Sequence, residues 1–419
     1  MLDPKYIREH QDEVRANVKA RKVEVAVDEF LRLDGERSVW LKEIEDLRAE
    51  RNAIAKQMGV VGSKTEKNKL MEQGRAVKDE IAGKEAKYKE SEGAWRDLLY
   101  RFPNMSHPDV PSGESDQDNK EVKKEGKVKK LKNPLDHVAL AAKHDLMDFE
   151  RAAKTTGAKF YFLKGKLAVL EQALIRFGID FAMREGFEFL TTPDLAKEEV
   201  LVGKGFLPRG PEKQVYYVEG QDLALVGTAE ITMLGYHMNE TLEAEVLPKK
   251  YVAFSHCFRT EAGAYGRESY GLYRVHQFPK VEMFAFALPE QSEAIHQEFL
   301  RLEKAFWKKL EIPFRVVDCC AGDLGGSDYR RYDLEAWMWG KNGYGEVTST
   351  SNCLDYQSRG LNIRYKGKTG EKGFVHTLNG TVVATPRAML AILENHQQAD
   401  GTIKIPAALV PYCGFDQIG

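Results

Sequence analysis

Phe30, Leu33, Arg37, Trp40, Ile44, Leu47, Arg51, Ile54 and Met58 follow one another at alternating steps of three and four residues. That spacing lays one stripe along a helix and predicts a coiled-coil seam. It stops at Gly59-Val60-Val61-Gly62-Ser63, which reads as a turn. It resumes as Leu70, Gly74, Val77, Ile81, Lys84, Tyr88, Ser91, Trp95 and Leu98. Two such seams joined by a glycine-containing tip predict an antiparallel helical hairpin over about residues 28–99. Each helix has roughly 30 residues, so the arm is about 45 Å long. A chain of 419 residues exceeds one ordinary core. It therefore divides into two predicted domains. Residues 1–103 hold the hairpin behind a short amphipathic helical lead-in, and residues 104–419 form the second domain.

Arg37, Arg51, Gly74, Lys84 and Ser91 interrupt the seam. An interrupted seam suits a projecting arm, although a dimerisation zipper stays open on spacing alone. Near the tip stand Arg48, Lys56, Lys64, Lys67, Lys69, Arg75 and Lys78. They could grip phosphates or form a solvated face. The net charge of -2 excludes a wholly basic nucleic-acid coat and leaves room only for a local basic patch. No apolar run is long enough to span a bilayer. The start, Met1-Leu2-Asp3-Pro4-Lys5-Tyr6, lacks a signal-peptide core. A cytoplasmic protein with no membrane partner is expected. The five cysteines, Cys257, Cys319, Cys320, Cys353 and Cys413, form no C-x-x-C pair. They read as reduced thiols, and no structural zinc is expected.

After Phe102-Pro103-Asn104 the chain is extended, and 113–133 reads as a loop or irregular strand. A compact region is predicted from about 135. Residues 165–184 read as a helix with apolar Leu167, Leu170, Leu174, Phe177 and Phe181. Strands are predicted at 187–193, 251–258, 281–288, 314–319 and 333–338. The βαβ rhythm is missing, so the fold class is α+β: an antiparallel sheet flanked by helices, preceded by the coiled-coil arm. Neither a P-loop nor a Rossmann glycine turn is present.

Four stretches carry candidate chemistry. Gly227-Thr228-Ala229-Glu230 puts a hydroxyl and a carboxylate at the opening of a helix. Arg259-Thr260-Glu261 puts an arginine and a glutamate on one strand face, either as an ion pair or as a phosphate clamp. Residues 271–282 crowd Arg274, His276 and Phe278 into a loop that returns to a strand bearing Glu282. That suits a planar ligand with phosphates. Asn379-Gly380-Thr381 is followed by Arg387 at the head of a helix, a natural anion site.

In this order the stretches resemble the seryl-tRNA synthetases of class II. Phe187 to Pro193 looks like motif one, Arg259-Thr260-Glu261 with its loop and returning strand like motif two, and Thr381 to Arg387 like motif three. Thr228-Ala229-Glu230 is similar to the family's serine-contacting triplet. Glu346-Val347-Thr348-Ser349 resembles its strand bearing the ATP-metal carboxylate. The hairpin matches the family's arm. The resemblance implies a tRNA-binding domain at 1–103 and a class II catalytic domain at 104–419. It implies activation of L-serine by ATP to seryl-adenylate and transfer to tRNA(Ser), with tRNA(Sec) left open. Arg259 would meet the α-phosphate and Arg387 the γ-phosphate. Phe278 and Arg274 would enclose adenine, with Val275 and Glu261 reading its edge. Glu346 and Ser349 would bind Mg²⁺ as the metal ligands, with Val347 and Thr348 beside ATP. Thr228, Glu230, Arg259, Glu282, Asn379 and Thr381 would form the serine site. A homodimer is implied, with the arm reaching the tRNA of the other subunit.

The pattern departs from the family at Tyr270, where a basic residue is expected, and at Lys159, where arginine is usual. No extension follows Gln417-Ile418-Gly419, so a bacterial-type member is expected. Two rival readings are a paralogue that adenylates an amino acid for a carrier protein and a non-enzymatic coiled-coil scaffold.

Overall fold

The computed structural model describes residues 1–206, 215–261 and 271–419. Tyr270 and most of the loop before it lie outside the described residues. The chain separates into two compact units. One comprises residues 2–19 and 23–102, and the other 103–419 together with Met1 and residues 20–22.

In the first unit, helices Pro4–Glu9 and Gln11–Ala20 precede the hairpin. Its two helices are Val27–Val60 and Lys64–Leu99, each roughly 50 Å long at 1.5 Å per residue. The turn is shorter than the sequence predicts. Gly59 and Val60 continue the first helix, and only Val61-Gly62-Ser63 breaks it. The seam is as predicted, with Arg51 its one exposed member. Ile54, Val77 and Ile81 form an apolar centre with Leu47, Met58 and Leu70 against it. The polar seam residues Arg37 and Lys84 are accommodated by neighbours. Arg37 lies over the rings of Trp95 and Tyr88 at 4.4 and 5.6 Å. Lys84 pairs with Glu43 at 2.7 Å. Asp34, one step off the seam, is fully buried. It accepts hydrogen bonds from Trp95 Nε1 at 2.9 Å and Arg8 Nη1 at 2.7 Å. Leaving the Trp95 N–H unpaired would cost about 1–3 kcal/mol.

The second unit is built on an eight-stranded sheet. Its strands in chain order are β1 (Lys120–Glu125), β2 (Glu188–Thr191), β3 (Lys249–Phe258), β4 (Gln277–Ala287), β5 (Phe314–Asp318), β6 (Arg330–Met338), β7 (Gly343–Asn352) and β8 (His376–Ala384). They lie in the order β1-β5-β6-β7-β8-β4-β3-β2. Every pairing is antiparallel except that of β2 with β3 at one edge. The α+β class expected from the sequence is therefore the one observed.

Helix Gly165–Arg184 has the bounds read from the sequence and buries all five apolar positions named for it. With helices Ser292–Lys309 and Thr385–His396 it covers one face of the sheet. Alternation along β4 explains the layering. Val281, Met283 and Ala285 enter that core, while Lys280 and Glu282 point to the opposite face. On that opposite face Phe284 and Phe286 close a second apolar cluster with Met233, Leu234 and Tyr251.

The structure decides one local expectation and corrects another. Within 113–133, residues Lys120–Glu125 form an edge strand whose register shifts between Glu121 and Lys123, the irregular strand of the two readings. Its sequence, KEVKKE, shows no apolar alternation because almost all of it faces water, and charged edges resist unwanted pairing. Arg259 and Glu261 are not on a strand face. β3 ends at Phe258, and Glu261 takes a left-handed backbone with φ of 46°. Its described partner is Arg274 Nη1, 3.3 Å away, rather than Arg259.

Candidate active site

Thr228, Glu230, Arg259, Glu261, Arg274, Val275, Phe278, Glu282, Glu346, Val347, Thr348, Ser349, Asn379, Thr381 and Arg387 all line one cavity of about 840 Å³. Its floor is the free face of β6, β7, β8 and β4. Glu282 stands opposite Thr381 in the register, and Ser351 opposite Asn379. Directly paired residues project to the same side. Thr381 Oγ1 donates to Glu282 Oε2 at 3.0 Å. Lys280, two residues back on the same face, pairs with Glu282 at 2.7 Å.

Glu346 and Ser349 are three apart, and on a regular strand they would face opposite ways. A β-bulge prevents this. The register passes from Leu334↔Thr348 to Glu335↔Glu346, so Val347 has no partner on β6. Glu346 and Ser349 consequently share the face of Glu335 and Asp333. The neighbouring side chains face away from the cavity. Val347 is buried in the main core, and Thr348 Oγ1 donates behind the sheet to Glu303 Oε2 at 2.8 Å.

The two arginines reach this floor from different directions. Arg259 follows the end of β3. Its backbone N–H donates to His276 O at 2.9 Å, and its guanidinium lies 5.4 Å from the Phe278 ring centre, with Nε to Gly227 O at 3.4 Å. Arg387 sits in the first turn of helix Thr385–His396, next to Pro386. It donates to Glu346 O at 2.9 Å, contacts Glu346 Oε2 at 3.2 Å and covers the Tyr273 ring at 4.6 Å. Glu346 sits deep in the protein, yet 44% of its side chain opens on the cavity. Burial works to raise its pKa, but Arg387, then Arg331 and Arg259, outweigh it and hold the carboxyl below its ordinary range. Asp333 differs: burial pushes its carboxyl up to about 6 against the pull of Arg331.

Supporting residues that the sequence reading did not name hold these groups in place. His137 Nδ1 contacts Glu394 at 2.8 Å, and His137 Nε2 accepts from Leu272 N–H at 3.1 Å. That chain ties the segment entering Arg274 and Phe278 to the helix that carries Arg387. Glu230 is 3% exposed and is held by Gln357 Nε2 at 2.7 Å and Lys204 Nζ at 3.2 Å. Thr228 caps the helix Ala229–Gly235 by accepting from Glu230 N–H. A Cβ at Gly227 would lie 2.4 Å from Phe206 Cζ, so a side chain there would force the phenyl ring to shift. Cys319, Asp323 and Asp333 stand close enough to share a cation. The Arg331 guanidinium lies among them, 3.3 Å from Cys319, 2.6 Å from Asp323 and 3.1 Å from Asp333.

Glu303 backs the floor from helix Ser292–Lys309 and is wholly buried. Burial pushes its carboxyl well above the ordinary value of 4.5, with Glu282 and Asp333 adding to the rise. The folded protein thus keeps a proton that the unfolded chain releases above about pH 4.5. The associated stability is present below that pH and is lost as pH rises toward and through the folded-state value. Glu303→Gln is expected to flatten this decline in urea melts run between about pH 5 and pH 8. Equal slopes in the two proteins would contradict the assignment.

The chain resembles known proteins along its whole length. Residues 1–106 match the seryl-tRNA synthetase N-terminal domain, and residues 216–396 match the class II tRNA synthetase core domain shared by the G, H, P, S and T enzymes. The serine–tRNA ligase of Treponema denticola is 52% identical over 422 residues, covering all of both chains. That of Rubrobacter xylanophilus is 48% identical, covering all of this chain and 99% of the other. Seryl-tRNA synthetase from Pyrococcus horikoshii, solved with ATP, superposes with a TM-score of 0.90 at 39% identity, covering 100% and 99% of the two chains. Matches spanning arm and sheet together favour neither a bare scaffold nor an armless paralogue. With the hairpin and the polar cavity already established, they show that the chain belongs to the seryl-tRNA synthetases, the serine–tRNA ligases of class II.

Proposed function

We propose that residues 104–419 activate L-serine with ATP and that residues 1–103 present tRNA(Ser) to them. A serine carboxylate oxygen attacks the α-phosphorus. A C–O–P anhydride forms, the bond to the β-phosphate oxygen breaks, and pyrophosphate leaves. A terminal hydroxyl of the tRNA then attacks the carbonyl, forming the ester and releasing AMP. No covalent enzyme intermediate is needed, so positioning and charge carry the catalysis. The observation that bears most weight is the convergence of Arg259 and Arg387, from distant parts of the chain, on one oxygen-rich cavity.

In this reading Arg259 meets the α-phosphate, where negative charge builds, and Arg387 the γ-phosphate. Phe278 and Arg274 enclose adenine, and the Val275 backbone and Glu261 read its edge. Glu346 and Ser349 offer a carboxylate and a hydroxyl on one face, a hard oxygen pair that fits Mg²⁺ alongside substrate phosphates. When bound, that ion would neutralise phosphate charge. Thr228, Glu230, Glu282, Asn379 and Thr381 surround the amino acid. The Thr381–Glu282 pair suits the serine hydroxyl, and alanine would leave it unanswered, a penalty of about 10⁴ in selectivity. Pyrophosphate exchange measured with each of the twenty amino acids is expected to respond to serine. No response to serine, or a stronger one to another amino acid, sinks the reading.

The arm's far end supports the tRNA role. Residues 51–78 hold Arg51, Lys56, Lys64, Lys67, Lys69, Arg75 and Lys78 against only Glu66 and Glu72, and all seven basic side chains are exposed. Shape and backbone contact would dominate recognition. A homodimer is supported by the β2 edge, near which Met183, Phe189 and Leu195 are exposed. No helix among the described residues is long and apolar enough to cross a membrane. A cytoplasmic location accords with that.

A further inference from the structure

The cavity contains an ammonium of its own beside a carboxylate proposed for the substrate. Lys204 ends the helix Glu198–Lys204, and its Nζ lies 3.2 Å from Glu230 Oε2, the two side chains being 15% and 4% exposed. The other oxygen of Glu230 is fixed by Gln357, whose own oxygen accepts from Thr377 Oγ1 at 2.7 Å. Glu230 is therefore anchored through a neutral amide on one side and charge-balanced by a cation on the other. The main chain at Lys204 is pinned. The next residue, Gly205, has φ of 82°, and a Cβ there would lie 3.2 Å from Tyr356 Cε1. The ammonium, by contrast, rides on a flexible four-carbon stem.

Burial opposes the charge on Lys204, but Glu230 and then Asp328 outweigh it, so the group stays ionised. Two carboxylates thus attract one ammonium. Asp328 also lines the cavity, where its Oδ2 accepts from Gly325 N–H at 2.9 Å. An amino acid brings a second ammonium to the same place. Of the two glutamates available to it, Glu282 is already bonded by Lys280 and Thr381, and Glu230 by Lys204.

We propose that Lys204 is a resident competitor for the substrate ammonium: it balances Glu230, is displaced toward Asp328 as serine enters, and thereby weakens serine binding below what Glu230 alone would give. This rests on the reading of Glu230 as part of the serine subsite. The arrangement has a physical use. A buried carboxylate without a counter-charge is costly, and Lys204 supplies that charge to Glu230 until the substrate ammonium takes its place, at the cost of affinity.

Serine-dependent pyrophosphate exchange tests it with Lys204→Met and Lys204→Arg. The methionine keeps the apolar stem and removes the charge. Its serine KM is expected to fall about fivefold while the ATP KM stays within about twofold. The arginine, whose fork can bind a carboxylate through two bonds, is expected to raise the serine KM. A lost structural support could raise a KM but would not lower it. A serine KM that is unchanged or higher in Lys204→Met, beside normal wild-type exchange, overturns this proposal alone. Wild-type protein without serine-dependent exchange overturns the functional reading and this proposal with it. Should the methionine variant fail to fold, a wild-type crystal structure with serine and a non-hydrolysable ATP analogue decides. Lys204 Nζ more than about 4 Å from Glu230 supports displacement, and an intact pair refutes it.

Discussion

Arg259→Ala is expected to lower serine-dependent pyrophosphate exchange about 10³-fold, with the melting temperature little changed. The side chain contributes little to folding. Among the described residues its guanidinium donates one hydrogen bond, to Gly227 O, long at 3.4 Å, and the stronger link to His276 runs through the backbone. What alanine removes is a planar, permanent cation on the cavity wall, held over Phe278 and within electrostatic reach of Glu346. Arg387 does not replace it where charge develops on the attacked phosphate, since it is already engaged by Glu346 and Tyr273. Arg259→Lys restores charge without the fork and should recover only part of the loss. The measurement is exchange at saturating ATP and serine, beside a thermal melt. Near-normal exchange in the alanine variant would remove Arg259 from the chemistry.

Shortening the arm should separate the two half-reactions. Excising residues 45–83 and closing the helices with a glycine–serine turn removes all seven tip cations. It leaves Asp34, Arg37, Tyr88 and Trp95 at the base, where the buried hydrogen bonds and ring contacts are concentrated. Every cavity residue lies beyond position 200, so pyrophosphate exchange should stay within about twofold of the intact protein. Charging of tRNA(Ser) is expected to fall by about 10² or more, because phosphate contacts supply much of RNA affinity and the excised segment carries them. The intact protein should also lose charging efficiency as salt rises, and the shortened one much less so. Undiminished charging after excision would mean that the arm does not present the tRNA.

Much of the molecule was legible before any coordinates because its signals are local. The three-four spacing depends only on residues a turn apart, and so the seam, its polar interruptions and helix Gly165–Arg184 could be placed nearly to the residue. The predicted cavity residues were legible for a different reason. Their order along the chain matches a family whose chemistry demands arginines and carboxylates, and that order survives without geometry. Strand β1 was legible only as one of two readings, since an edge strand buries little and shows no alternation. Asp34, His137, Lys204, Glu303 and Glu394 were missed because each is defined by a partner 26 to 257 residues away.

The order of amino acids by itself determined the arm, the fold class and the identity of many, though not all, of the groups that line the cavity. Periodicity and chain order are properties of the polypeptide alone. Only the tertiary structure decided how those groups meet. The bulge at Val347 turns Glu346 and Ser349 to one side of the sheet. The left-handed turn at Glu261 hands its carboxylate to Arg274 instead of Arg259. The end of helix Glu198–Lys204 delivers a lysine to Glu230. Each outcome depends on a backbone departure or a long-range approach that costs free energy locally and is stabilised by packing elsewhere, which no window of neighbouring residues contains.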